Sequence, residues 1–118
     1  MYILTKFMFK NNVIENKKKK DFLKKQRLNV INLRNKFLAE WASNILELND
    51  KEKLTYINNV SNANFQREEN KFVIKKIEDD FTSRNIKISY KEIEFKIKDF
   101  QIKANIIVEN KFKLNNWN

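Results

Sequence analysis

"NIKISYKEIEFKIK", residues 85–98, decides what kind of fold this chain adopts. Its apolar residues, Ile86, Ile88 and Tyr90 and then Ile93, Phe95 and Ile97, alternate with polar ones, which is the period of a half-buried strand. Ile, Tyr and Phe also suit strands. Against this stand three helical signals. Ser89 and Glu92 have the S-x-x-E spacing of a capping box, and Ile88 and Ile93 sit where a hydrophobic staple would close around it. Ile93, Ile97, Phe100, Ala104 and Ile107 then recur at steps of four, three, four and three. A chain rich in Ile and Lys generates a short alternation readily, whereas a cap, a staple and a sustained period have to coincide. The stretch is therefore expected to open a helix, with the strand as its alternative.

Working outward, the same signals recur. Asn49 and Glu52 form a second capping box, opening a short helix over 51–61 with Leu54, Ile57 and Val60 on one face. The Asn-rich "NNVSNANF" (58–65) ends it by competing for backbone hydrogen bonds. A third helix, 66–84, presents Val73, Ile74, Ile77 and Phe81. Upstream, Val30, Leu33, Phe37, Trp41, Ile45 and Leu48 recur at helical steps from about residue 21 to 48, with Leu38, Ala42 and Leu46 widening the stripe. Trp41, Phe37 and Ile45 are expected in the core. Ala39 and Ala42 flank Trp41 and would let neighbouring helices approach closely.

The sum is an all-α fold: a four-helix bundle with a long first helix and a mobile N-terminal arm. The arm is placed at 1–20, the bundle at 21–109, and a frayed tail, "NKFKLNNWN", at 110–118. There is no internal repeat and no second domain.

Composition narrows the function. The 118 residues include no Cys, no His, no Gly and no Pro. Without Cys there is no disulfide framework or thiolate metal site, and without His the usual general base and metal ligand are missing. Without Gly no phosphate-cradling loop can form. Asp79 and Asp80 point about 100° apart on a helix and make a poor catalytic pair. No catalytic residue, metal site or cofactor is expected, and the chain does not read as an enzyme. Apolar runs are only a few residues long, so no membrane insertion is expected either.

The formal net charge of +10 invites a nucleic-acid reading. Residues 1–28, however, hold nine basic and two acidic residues, so most of the excess sits at the N-terminus. Only four of the 25 basic residues are Arg, the residue preferred for phosphate forks and base edges. A small basic helical nucleic-acid binder is kept as the alternative function, and it is disfavoured on these grounds. Phe7, Phe9, Ile14 and Phe22, interleaved with charge, cannot bury a core alone; such an arm could order against a partner, its apolar residues as anchors and its Lys17–Lys20 run as steering charge.

With the helices placed, "RNKFLAEWAS" (34–43) resembles a signature of the zeta-subunit family, small helical inhibitors of the F-type ATP synthase in alphaproteobacteria. "TYINNVSNANF" (55–65) looks like that family's second helix and exit, and "IEDDFTSRNIKISYKEIEFKI" (77–97) like its third-helix end, loop and final helix. Phe7 and Ile14-Glu15-Asn16-Lys17 resemble its early Phe and F-E-N-K element. The resemblance spans about residues 7 to 107. It departs at Met8 and Phe9, where members tend to carry acids, and in the strongly basic Lys17–Lys20.

The resemblance implies a non-catalytic inhibitor that binds the catalytic head of the synthase, its alpha, beta and gamma subunits. The arm would become helical as it wedges into a catalytic interface, stopping ATP hydrolysis as a pawl stops a ratchet. It assigns partner contacts in the inhibitory arm to Phe7, Phe9, Ile14, Glu15, Asn16, Lys17 and Phe22, and in the bundle to Arg34 and Lys36. The family has also been linked to weak nucleotide binding, which carries over to no residue here. The implied location is the cytoplasm, peripheral to the inner membrane through the synthase, or the mitochondrial matrix in a eukaryote.

Overall fold

The computed structural model describes the backbone of residues 2–62, 65 and 69–116, and the side chains of 16–62, 65 and 69–114. Among these residues there are four helices and no strand: α1 (Tyr2–Ile45), α2 (Asp50–Val60), α3 (Lys71–Ser83) and α4 (Tyr90–Asn116). The opening stretch is helix. Glu92 donates its backbone N–H to Ser89 Oγ at 3.2 Å, and Ile88 packs against the core beside the fully buried Ile93. At the start of α2 both halves of the capping box form: Glu52 N–H to Asn49 Oδ1 at 2.8 Å, and Asn49 N–H to Glu52 Oε1 at 3.2 Å.

Helix ends ordinarily lean on glycine, and this chain has none. Glu47 and Asn85 take the left-handed conformation instead, with φ of 56° and 61°. Each closes a helix in the same way. Leu48 N–H reaches Ser43 O at 3.1 Å and Glu47 N–H reaches Asn44 O at 3.2 Å; after α3, Ile86 N–H reaches Phe81 O at 2.9 Å and Asn85 N–H reaches Thr82 O at 3.0 Å. These are Schellman motifs, with Leu48 and Ile86 as the apolar residues that follow.

The core draws on every helix. Leu38, Ala39, Ala42 and Leu46 of α1 meet Val60 of α2, Val73, Ile74, Ile77 and Phe81 of α3, and Ile93 and Ile97 of α4. Ala39 and Ala42 are fully buried, as close approach requires. The expected stripe on α1 is buried at Val30, Leu38, Ala42 and Leu46, but its centre is rotated from the one that Phe37, Trp41 and Ile45 define. Phe37, Trp41 and Ile45 are half-buried at the edge of the contact, and the centre of the face carries Ile31, Arg34, Asn35, Leu38, Ala39, Ala42 and Ser43. The offset is about one residue, ~100° around the helix. Large rings can flank a helix–helix seam while small and branched side chains fill its middle. Trp41 meets Phe81 edge-on at 5.7 Å, and Phe37 meets Phe100 at 5.9 Å.

α1 and α4 run antiparallel, as the pairings Phe22–Phe112, Phe37–Phe100 and Trp41–Lys96 show by their opposite numbering. α1 does not begin near residue 21 but continues back to Tyr2, and α4 continues to Asn116, into the stretch expected to fray. Within that stretch Phe112 lies against Phe22, ring centroids 5.0 Å apart. The molecule measures 71 × 31 × 21 Å, its long dimension matching a 44-residue helix at ~1.5 Å per residue.

Candidate partner interface

Among the described residues, the longest unbroken run of exposed side chains lies on α1. From Asn16 to Lys25 every side chain is exposed, including Lys17 to Lys20. Helical periodicity spreads these four consecutive lysines around the rod, because successive residues point ~100° apart. No single face collects them. Val30 is the first buried side chain along the described part of α1. Of the residues expected to contact a partner, Phe7, Phe9, Ile14 and Glu15 have side chains outside the described residues. Asn16 and Lys17 are exposed. Phe22 is 42% exposed, one side of its ring committed to Phe112 and the other facing solvent.

Arg34 differs from expectation. The family resemblance assigns it to the bundle's partner contacts, which call for an exposed side chain. Its side chain is only 2% exposed and turns into the bundle. Nε donates to Asn35 Oδ1 at 3.1 Å, and Nη1 donates both to Asn70 Oδ1 at 2.8 Å and to Gln101 Oε1 at 3.1 Å. Asn35, itself fully buried, passes the network on by donating Nδ2 to Phe65 O at 2.9 Å. One guanidinium thus ties α1 to the start of α3 and to the middle of α4, while Asn35 holds the connection that leaves α2. Burial pulls the Arg34 pKa down from 12.5 to about 10. At neutral pH it stays charged, and its planar fork of donors suits several acceptors at once. Asn70 does not cap its own helix with its side chain, whose oxygen is engaged by Arg34.

Lys36, two residues on and so about 200° around the helix from Arg34, is exposed and lines a groove between α1 and α4. The groove encloses about 460 Å³, with Phe22, Lys25 and Lys36 on one wall and Val108, Lys111 and Phe112 on the other. On the opposite side of the same helix pair lies a second groove of about 680 Å³, lined by Leu23, Arg27, Val30, Lys98 and Ile102 among others. Neither groove has an acidic lining residue.

The remaining polar clusters serve structure. Tyr56 Oη donates to Asp80 Oδ2 at 2.8 Å, and Lys76 Nζ bridges the same carboxylate at 2.9 Å, tying α2 to α3. Burial, with the Asp80 hydrogen bond and charge adding to it, pushes the Tyr56 hydroxyl far above its ordinary pKa. Asp79 pairs separately with Lys75 at 3.0 Å, so the two adjacent carboxylates face different partners. Among the described residues no group of three or more acidic side chains is arranged to hold a metal ion. No described helix is long and apolar enough to cross a membrane.

Sequence reasoning missed the Arg34 network and the carboxy-terminal wall of the groove. The network had a signal: Ile31, Leu38, Ala42 and Leu46 define a helical face on which Arg34 and Asn35 also lie. Lys111 and Phe112 had none, since their neighbours come from near the other end of the chain.

A family model described as ATPase inhibitor subunit zeta matches residues 4–106. That span runs from the first turns of α1 into α4 and takes in both the exposed rod and the bundle. No curated protein matches the chain, and no solved structure does.

Proposed function

The chain belongs to the ATPase inhibitor subunit zeta family, and from that premise we propose that it restrains ATP hydrolysis by the F-type ATP synthase, with its N-terminal arm, residues 1–20, entering a catalytic subunit interface. The observation that carries this reading is the extent of the match, which includes the arm as well as the bundle. It is a regulatory role: the chain supplies a wedge and no reacting group. Phe7, Phe9 and Ile14 act as apolar anchors, Glu15, Asn16 and Lys17 make the polar contacts around them, and Lys17–Lys20 speed encounter with an acidic surface. An arm continuous with α1 supports the reading further, because a segment already helical loses less conformational entropy on docking than a disordered one. The protein would then sit at the membrane surface through the synthase without entering the bilayer.

The alternative of nucleic-acid binding loses support from the placement of arginine. Arg34 is spent on the buried network, and Arg84 donates Nη1 to Leu46 O at 2.7 Å across the bundle. Titrating the purified protein into the catalytic head from the same source should lower ATP hydrolysis, and removing residues 1–20 should abolish the effect. The shortened chain keeps every buried residue of the described core. Absence of both inhibition and binding by the full chain would refute the function. Inhibition that survives the deletion would refute the arm as the wedge.

A further inference from the structure

The groove between α1 and α4 is an unfilled helix seam. On α1 its wall runs through Phe22, Lys25, Asn29, Leu33 and Lys36, steps of three, four, four and three. That is the spacing by which one helix receives another. On α4, Val108, Lys111 and Phe112 complete it. Its apolar parts are few: the Phe22–Phe112 pair at one end, and Leu33 and Val108 on the two walls. Its charge has one sign. Lys25, Lys36 and Lys111 all line it, and none takes part in an ion pair among the described residues. The nearest acids are not in the lining: Asp21 and Glu40 stand one helical turn from Lys25 and Lys36, beyond the two ends of the groove's α1 wall and in no ion pair with them, and Glu109 pairs with Lys113 at 3.5 Å.

The geometry points to an occupant: an acidic amphipathic helix on the surface of the protein that this chain inhibits, laid into the α1–α4 groove as a third strand of the seam. Lys25 and Lys36 are eleven residues apart, ~16 Å along α1. A partner helix would match them with carboxylates about three turns apart and press an apolar residue between against Leu33 and the two rings. The seam begins one residue past Lys20–Asp21, so docking here would hold the bundle beside the point where the arm enters. The assignment rests on the inhibitor reading above and adds to it a second, separate contact.

The test compares the full chain with the K25E/K36E/K111E variant and with a K51E/K87E/K91E control carrying the same change in net charge. The control lysines are exposed at the other end of the bundle. Circular dichroism verifies folding, and binding to the purified catalytic head is then measured at low and moderate salt, alongside inhibition of hydrolysis. We expect the groove variant to bind roughly ten- to a hundredfold more weakly, while inhibition at saturating concentration stays complete. The control should bind like the parent. Equal binding by parent and groove variant overturns the assignment and leaves the inhibitor reading standing, as does a control that weakens just as much. A parent that does not bind the head overturns both. Retardation of DNA by the parent, lost in the groove variant, would overturn the assignment in favour of a nucleic acid.

Discussion

Replacing Arg34 by Ala tests whether this buried cation holds the bundle together. The substitution removes the donor contacts to Asn35, Asn70 and Gln101. Their cost is unequal. Asn35 has no exposure at all, so its oxygen would be left buried without that donor, at ~1–3 kcal/mol. Asn70 and Gln101 are half-buried, and water can take over part of each bond, for ~0.5 kcal/mol apiece. Truncating the aliphatic stem adds about 1–2 kcal/mol of lost packing. Against this stands relief of the desolvation that lowers the Arg34 pKa to about 10. The net expectation is a loss of about 3 kcal/mol, or roughly 12 °C in Tm for a domain of this size. Urea unfolding followed by circular dichroism measures it. Arg34→Lys, which keeps the charge but loses the fork, should fall about midway. Arg34→Met keeps most of the stem, and the gap between it and Ala separates packing from hydrogen bonding. A stability of Arg34→Ala within about 0.5 kcal/mol of the parent would refute the reasoning. So would Arg34→Met more stable than the parent, the outcome known for some buried ion clusters.

Two further outcomes follow from the same geometry. Tyr56 is an acid whose folded pKa is raised, so the unfolded chain releases its proton first on going alkaline; the stability it contributes is whole below about pH 10 and is lost above it. Tyr56→Phe should therefore flatten the alkaline fall in stability, and the tyrosinate absorbance of the parent should show Tyr56 ionising only as the chain unfolds. Glu47→Gly should stabilise by up to about 1 kcal/mol in thermal melts, because glycine accepts the left-handed conformation at φ 56° without the β-carbon penalty, partly offset by its freer unfolded state.

Local signals were legible in the sequence and long-range ones were not. Ser89 with Glu92, and Asn49 with Glu52, start α4 and α2 where their spacing predicted, because a cap is decided within four residues. The rotation of α1 misled for a physical reason. Phe37 and Trp41 draw attention by size, yet the seam's middle belongs to smaller residues and to Arg34 and Asn35, whose burial depends on acceptors from three other parts of the chain. Phe112 meets Phe22, and the basic groove joins Lys25 and Lys36 to Lys111, pairings that no local window contains. The lysine run invited attention to charge at residues 17–20, but in a helix those four charges diverge. Lysines eleven residues apart share a face where four consecutive ones do not.

The unbroken course of α1 has a mechanical consequence. From Tyr2 to Phe22, its first described ring contact with another helix, runs about 30 Å of rod. A tilt of the bundle by ~5° would sweep the tip through about 2.6 Å at that rise per residue, close to the length of a hydrogen bond. The bundle is thus the long handle of a lever. Under the proposed wedge role, a substitution that only reorients the handle, without touching the first twenty residues, would misplace the tip as surely as one made in the tip itself.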